Sequence, residues 1–151
     1  MILTEKMPIW IAIIILLGIV FTGIFFDLMG IAVTAAQEKP YHAMAAHKLR
    51  GAKESITIIR NAGPVSNFFN DVIGDISGII SGSAAAAILV KINKSLGIET
   101  ALVGMLLTAL IAGMTVGGKA YGKEIALRHS GFIVFKMGYI MSLFSFNKAK
   151  K

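Results

Sequence analysis

The sequence predicts an all-α membrane protein with three transmembrane helices and amphipathic juxtamembrane helices. Composition is the first observation behind this: 56% of the 151 residues are hydrophobic and the mean hydropathy is +0.76, far from the values of a soluble domain of this size. Four apolar tracts can be drawn, and the chain reads as one transmembrane domain with no room for a separate soluble one. The third observation is the run from Asn70 to Gly82, which sets two aspartates inside an otherwise apolar helix rich in glycine and serine.

The spans fall at about residues 7–35, 65–90 and 101–123, with surface helices at about 41–60 and 130–145. Met7 to Phe26 carries no charge and is long enough to cross a hydrocarbon core of about 30 Å. A cleaved signal peptide fits less well, because the apolar run is long and Glu5 interrupts a basic leader. Asp27 is followed by further apolar residues, so the helix continues and carries this acid into the span. Gln37 to Pro40 breaks the pattern. From Tyr41 to Arg60, Ala45, Leu49, Ala52, Ile56 and Ile59 form one face and Arg50, Lys53, Glu54, Thr57 and Arg60 the other, as in a helix lying on a membrane. His42 and His47 are five apart, a poor spacing for joint metal ligation on a helix.

The turn Asn61 to Pro64 opens the second span. Lys91 to Thr100 is a short polar loop, and the third span is again glycine-rich, with Gly113, Gly117, Gly118 and Gly122 in overlapping small-xxx-small pairs. Close packing of the second span on the third is the consequence. Lys119 either snorkels to the headgroups or meets the aspartates. Ser130 to Phe144 is short and interrupted by Lys136, so an interfacial or re-entrant helix is expected, and the tail Asn147 to Lys151 ends in lysines that suit an anionic leaflet. With the amino terminus outside, only Lys6, Lys91 and Lys94 of the basic residues fall on the outer side. The expected location is therefore the cell membrane, multi-pass, with the carboxyl terminus cytoplasmic. The net charge of +7 then reflects orientation in the bilayer rather than a nucleic-acid partner, since the basic residues lie beside apolar tracts. The absence of cysteine excludes disulfides and thiolate metal sites.

Asp71 and Asp75 are four apart and share a face of an α-helix. Gly78 and Gly82 continue that face with Ser77 and Ser81 beside them, so the acids point into an interface with another helix. A charge at bilayer depth costs several kcal/mol and persists where it handles an ion, a proton or a partner charge. The bland alternative is a wet helix end near the headgroups.

The order of features resembles the transmembrane domain of the cyclin M/CorB/CorC family of magnesium transporters, over roughly Phe25 to Leu143. The family's Phe-Ser-Gly-x-Glu corresponds to Phe26 through Gly30, its proline before the second span to Pro64, its Gly-Asn to Gly74-Asp75, and its closing Gly-Glu-x-x-Pro-Lys to Gly118 through Lys123. Asp27 stands where the family has serine, Asp75 where it has asparagine and Lys119 where it has glutamate. The net charge of the three positions is one negative either way. The resemblance implies a homodimer and a magnesium pathway. Family members continue into cytosolic nucleotide-sensing domains, whereas this chain stops at Lys151, which would leave any such gating to a separate regulatory polypeptide.

The expected function is a divalent-cation transporter or channel, for magnesium or cobalt, with Mg2+ as the transported ion and the lipid bilayer and a second copy as partners. Asp27, Asp71, Asp75 and Asn70 are the expected metal ligands, and Lys119, Ser77, Gly74 and Gly118 line the pathway or balance its charge. The alternative is a non-transporting membrane scaffold or subunit in which the aspartates and Lys119 form a structural ion-pair network. An enzyme is not expected: intramembrane aspartyl proteolysis needs two acids converging from different helices, and Asp71 and Asp75 share one.

Overall fold

The computed structural model describes residues 8–96 and 101–146. Every element among them is helical. Pro8, in an extended conformation, leads into α1 (Ile9–Ala35), as suits a residue that cannot donate to a preceding turn. Two short helices follow, α2 (Lys39–Ala46) and α3 (Ala52–Arg60). A single continuous rod then runs through α4 (Ala62–Asn67), a π-helical turn (Phe68–Ile73) and α5 (Gly74–Leu96). The chain ends in α6 (Ala101–Arg128) and α7 (Ser130–Phe146).

Among the described residues, two helices are long and apolar enough to cross a membrane, Ile9–Ala35 and Ala62–Ile92. Helix α6 has 28 residues, about 42 Å at 1.5 Å per residue. The first part of the expected outer loop is helical instead: α5 continues through Lys91 and Lys94 to Leu96, while residues 97–100 lie outside the described residues, as do Lys6 and the tail Asn147 to Lys151.

Helix α1 is the hub, and this corrects the expected arrangement. It packs against both α5 and α6, which meet each other far less. Leu16 and Val20 of α1 are buried with Ala85 and Ile88 of α5, and Leu107 and Ile111 of α6 close the same cluster. Several small residues meet α1: Gly118 lies under Ile24, Gly122 under Ile24 and Leu28, and Ser77 of α5 sits on Gly23 of α1, while Gly104 of α6 takes Leu89 of α5. A branched side chain fills a glycine notch more completely than a second glycine would, and close-packed contact is the main attraction between apolar helices. Gly78, Gly82, Gly113 and Gly117 have nothing within contact distance of a Cβ added there.

The surface helix expected over 41–60 is two helices. Lys48 and Gly51 have positive φ, 56° and 92°, and the chain turns between α2 and α3. Gly51 sits so close to α7 that a Cβ would lie 2.7 Å from the backbone of Tyr139, so both its φ and its position exclude a side chain. The buried face matches the expected one in part, with Ala52 buried and Ile56 and Ile59 packed against the core. Ala52, Ser55 and Ile58 point inward, while Leu49 is half exposed. Helix α7 runs along α3 and α1, with Gly138 against Ser55 and the carbonyl of Gly51. The Ser55 hydroxyl donates to Gly51 O at 2.8 Å and lies 3.2 Å from Val134 O.

These helices form a cap around the end of α1, with Ala32, Val33, Tyr41, Ile58, Ala126 and Val134 as its core. Tyr41 donates its hydroxyl proton to Gly131 O at 2.7 Å, which satisfies the polar tip of an otherwise apolar side chain. Burial pushes the Tyr41 phenol above its ordinary range, since desolvation disfavours the phenolate. On the outer side of the cap, Glu38 accepts from Arg60 Nε at 2.8 Å and contacts His42 Nε2 at 2.8 Å.

Candidate functional site

Because α5 and α6 both lean on α1 while staying apart from each other, a cleft of about 450 Å³ opens among the three helices. Val20, Gly23 and Ile24 of α1 form its floor. Helix α5 contributes Gly74, Asp75, Ser77, Gly78, Ile79 and Ser81, and α6 contributes Thr115 and Lys119. Polar groups are few and face one space, the usual character of a binding cleft.

Lys119 is the side chain that joins the helices. Its Nζ lies 3.3 Å from Asp27 Oδ1, with the Asp27 side chain 14% exposed and that of Lys119 38% exposed. Gly74 of α5 lies beside the ammonium, where an added Cβ would sit 3.8 Å from Nζ. Of the two outcomes open to the lysine, contact with an aspartate is the one realised, and the aspartate is Asp27. Asp75 lines the cleft and is solvent-exposed.

The hydroxyls have defined polarity. Ser81 Oγ donates to Gly78 O at 2.9 Å, and Thr115 Oγ1 donates to Ile111 O at 2.8 Å. With their protons committed to backbone carbonyls, both oxygens present lone pairs. Ser77 is buried against Gly23.

The remaining expected site residues are dispersed. Asp71 lies in the π-helical turn, exposed and outside the cleft. A π turn closes i→i+5 hydrogen bonds and adds residues to the turn, so the four-residue spacing to Asp75 does not bring both acids to one cavity. Asn70 packs over Gly30 of α1. Its Nδ2 donates to Ser66 Oγ at 3.2 Å, and its Oδ1 is buried without a hydrogen-bond partner. Gly118 is filled by Ile24 and does not line the cleft. Among the described residues, no group of three or more His, Cys, Asp or Glu side chains is placed to hold a metal ion.

Sequence reasoning missed Gly23 and Thr115, although a signal was there. Gly23 lies four residues before Asp27 and Thr115 four before Lys119, so each shares a helical face with a charged residue already singled out.

The site defines a class no finer than a helical protein with a polar cleft between apolar helices. No family model, curated protein or solved structure matches the chain.

Proposed function

We propose that the chain is an integral membrane protein that conducts or transports a divalent cation, magnesium or cobalt. The single observation behind this is the open cleft lined by Asp75, by Lys119, whose ammonium is paired with Asp27 beside the cleft, and by two hydroxyl oxygens with free lone pairs. Charged side chains such as Asp75 and Lys119 among apolar helices cost desolvation free energy, and in membranes they persist where they handle ions or partner charges.

Three crossings, with the amino terminus outside and the carboxyl terminus cytoplasmic, fit the helices best. Helices α1, α5 and α6 expose large apolar side chains such as Phe21, Ile79 and Leu106, a belt too extensive for a soluble monomer and suited to lipid. Helices α2, α3 and α7 form the cap where α1 and α6 end, and carry basic residues such as Lys53, Arg60 and Lys136 on exposed positions, as a cytoplasmic leaflet favours. The open glycines Gly78, Gly82, Gly113 and Gly117 suit a homodimer, in which a second copy would cover them.

The decisive experiment is magnesium flux into liposomes containing the purified protein. Saturable uptake that falls sharply in Asp75→Asn is the expected result. The absence of any protein-dependent flux of magnesium or cobalt would remove the transporter reading. A specific observation favours a second reading in that case. The Asp27–Lys119 pair ties α1 to α6, as a structural network in a non-transporting scaffold or subunit would.

A further inference from the structure

A bare divalent ion of magnesium's size requires near-octahedral oxygen ligation at about 2.0–2.1 Å and gives up its waters reluctantly. The cleft offers it little. Asp75 is the one carboxylate among the lining residues, and Asp27, outside that lining, is already engaged by the ammonium of Lys119 at 3.3 Å. No three-acid cluster exists among the described residues. The volume points the same way. A cation with six waters fills on the order of 180 Å³ at about 30 Å³ per water, comfortably within a cleft of about 450 Å³.

A hydrated cation presents mainly hydrogen-bond donors on its outside, because each bound water turns a lone pair to the metal and both its protons outward. Its recognition therefore needs acceptors. The cleft supplies a carboxylate at Asp75 and the oxygens of Ser81 and Thr115, whose protons are committed to Gly78 O and Ile111 O. Lys119 works in the same direction. A positive charge held on Asp27 keeps the ion away from that carboxylate and leaves it to the Asp75 side of the space.

We infer that the cleft takes its cation with the hydration shell intact, through hydrogen bonds from metal-bound waters to Asp75, Ser81 and Thr115, while Lys119 stays on Asp27. This rests on the cation reading above and specifies the chemical form in which the ion is recognised. It assigns Ser81 and Thr115, which on this account touch no metal, to the recognition of its waters. Asp71 has no part in it.

Cobalt(III) hexaammine tests the inference directly. It is an octahedral cation of similar size to a hydrated magnesium ion, covered with N–H donors, and it does not exchange its ligands for protein oxygens. The full-length protein in liposomes should lose magnesium flux as the hexaammine is added, and the detergent-solubilised protein should be stabilised against heat by either cation. Asp75→Asn should weaken the response to both by about tenfold or more, as expected when a charge-assisted hydrogen-bond acceptor is lost. The pair Ser81→Ala and Thr115→Val should weaken it less, and Asp71→Asn should leave it unchanged. Magnesium flux that the hexaammine does not inhibit would overturn recognition of the hydrated ion and leave the cation reading standing. Thermal stabilisation by the hexaammine that survives Asp75→Asn would place the ammine elsewhere and overturn the inference as well. Neither flux nor stabilisation by magnesium would overturn both.

Discussion

Lys119 of α6 reaches across to Asp27 of α1, 3.3 Å from its Oδ1, passing beside Gly74 of α5, where an added Cβ would be in ordinary contact with the ammonium at 3.8 Å. Three helices thus meet at one cation. An ion pair of this partial burial lies between exposed pairs, which contribute about 0–1 kcal/mol, and buried ones, whose disruption costs about 3–5 kcal/mol.

Lys119→Met and Asp27→Asn should each lower the melting temperature in detergent, by the equivalent of about 1–3 kcal/mol. The double variant should recover part of that loss, because neither single variant's orphaned charge is then present. Additive losses across the cycle would show that the pair contributes no coupling.

Gly51→Ala should destabilise the cap. The residue has a φ of 92°, and an added Cβ would sit 2.7 Å from the backbone of Tyr139, so strain and a steric clash act together at a cost of about 2 kcal/mol or more. Gly63→Ala is the control, as nothing lies within 4 Å of a Cβ there. Limited proteolysis should cut α7 faster in the first variant and at the parent rate in the second.

Glu38 lies outside the spans, and the hydrogen bond from Arg60, with a smaller one from His42, holds its carboxyl below the ordinary carboxylate range. A depressed carboxyl pKa stabilises the folded state above the unfolded value, and that stabilisation disappears as pH falls through the folded value. Arg60→Gln should therefore move the Glu38 titration, followed by carboxyl NMR shifts, back upward. An unmoved titration would show that Arg60 does not hold the carboxyl down.

Gly18, Gly78 and Gly82 are equally open within one chain, so leucine at any of them should be accommodated by the monomer. If a second copy covers the α5 face, Gly78→Leu and Gly82→Leu should shift a crosslinked dimer towards monomer while Gly18→Leu does not. Equal crosslinking in all three would exclude that face as the dimer contact.

The turn expected over Asn61 to Pro64 narrows to Asn61, because α4 begins at Ala62. The sequence by itself determined that α1 and the Ala62–Ile92 rod are long apolar helices, that a break follows residue 36, and that Asp27, Asp75 and Lys119 are the charges to watch. Those conclusions depend on composition and on spacing along one helix, which a linear sequence carries directly. Only the tertiary structure decided which helix each small residue faces. Glycine marks a place where something can approach closely but not what approaches, and here Ile24 and Leu28 of α1 fill Gly118 and Gly122. Only the fold, likewise, paired Lys119 with Asp27 and left Asp75 in the cleft. The separation of Asp71 from Asp75 comes from a π turn at Phe68–Ile73, which no residue type announces and which shifts the helical register on which the four-residue argument depends. The division of the surface helix at Gly51 comes from a backbone contact with α7, some ninety residues later, and local periodicity contains no information about contacts at that separation.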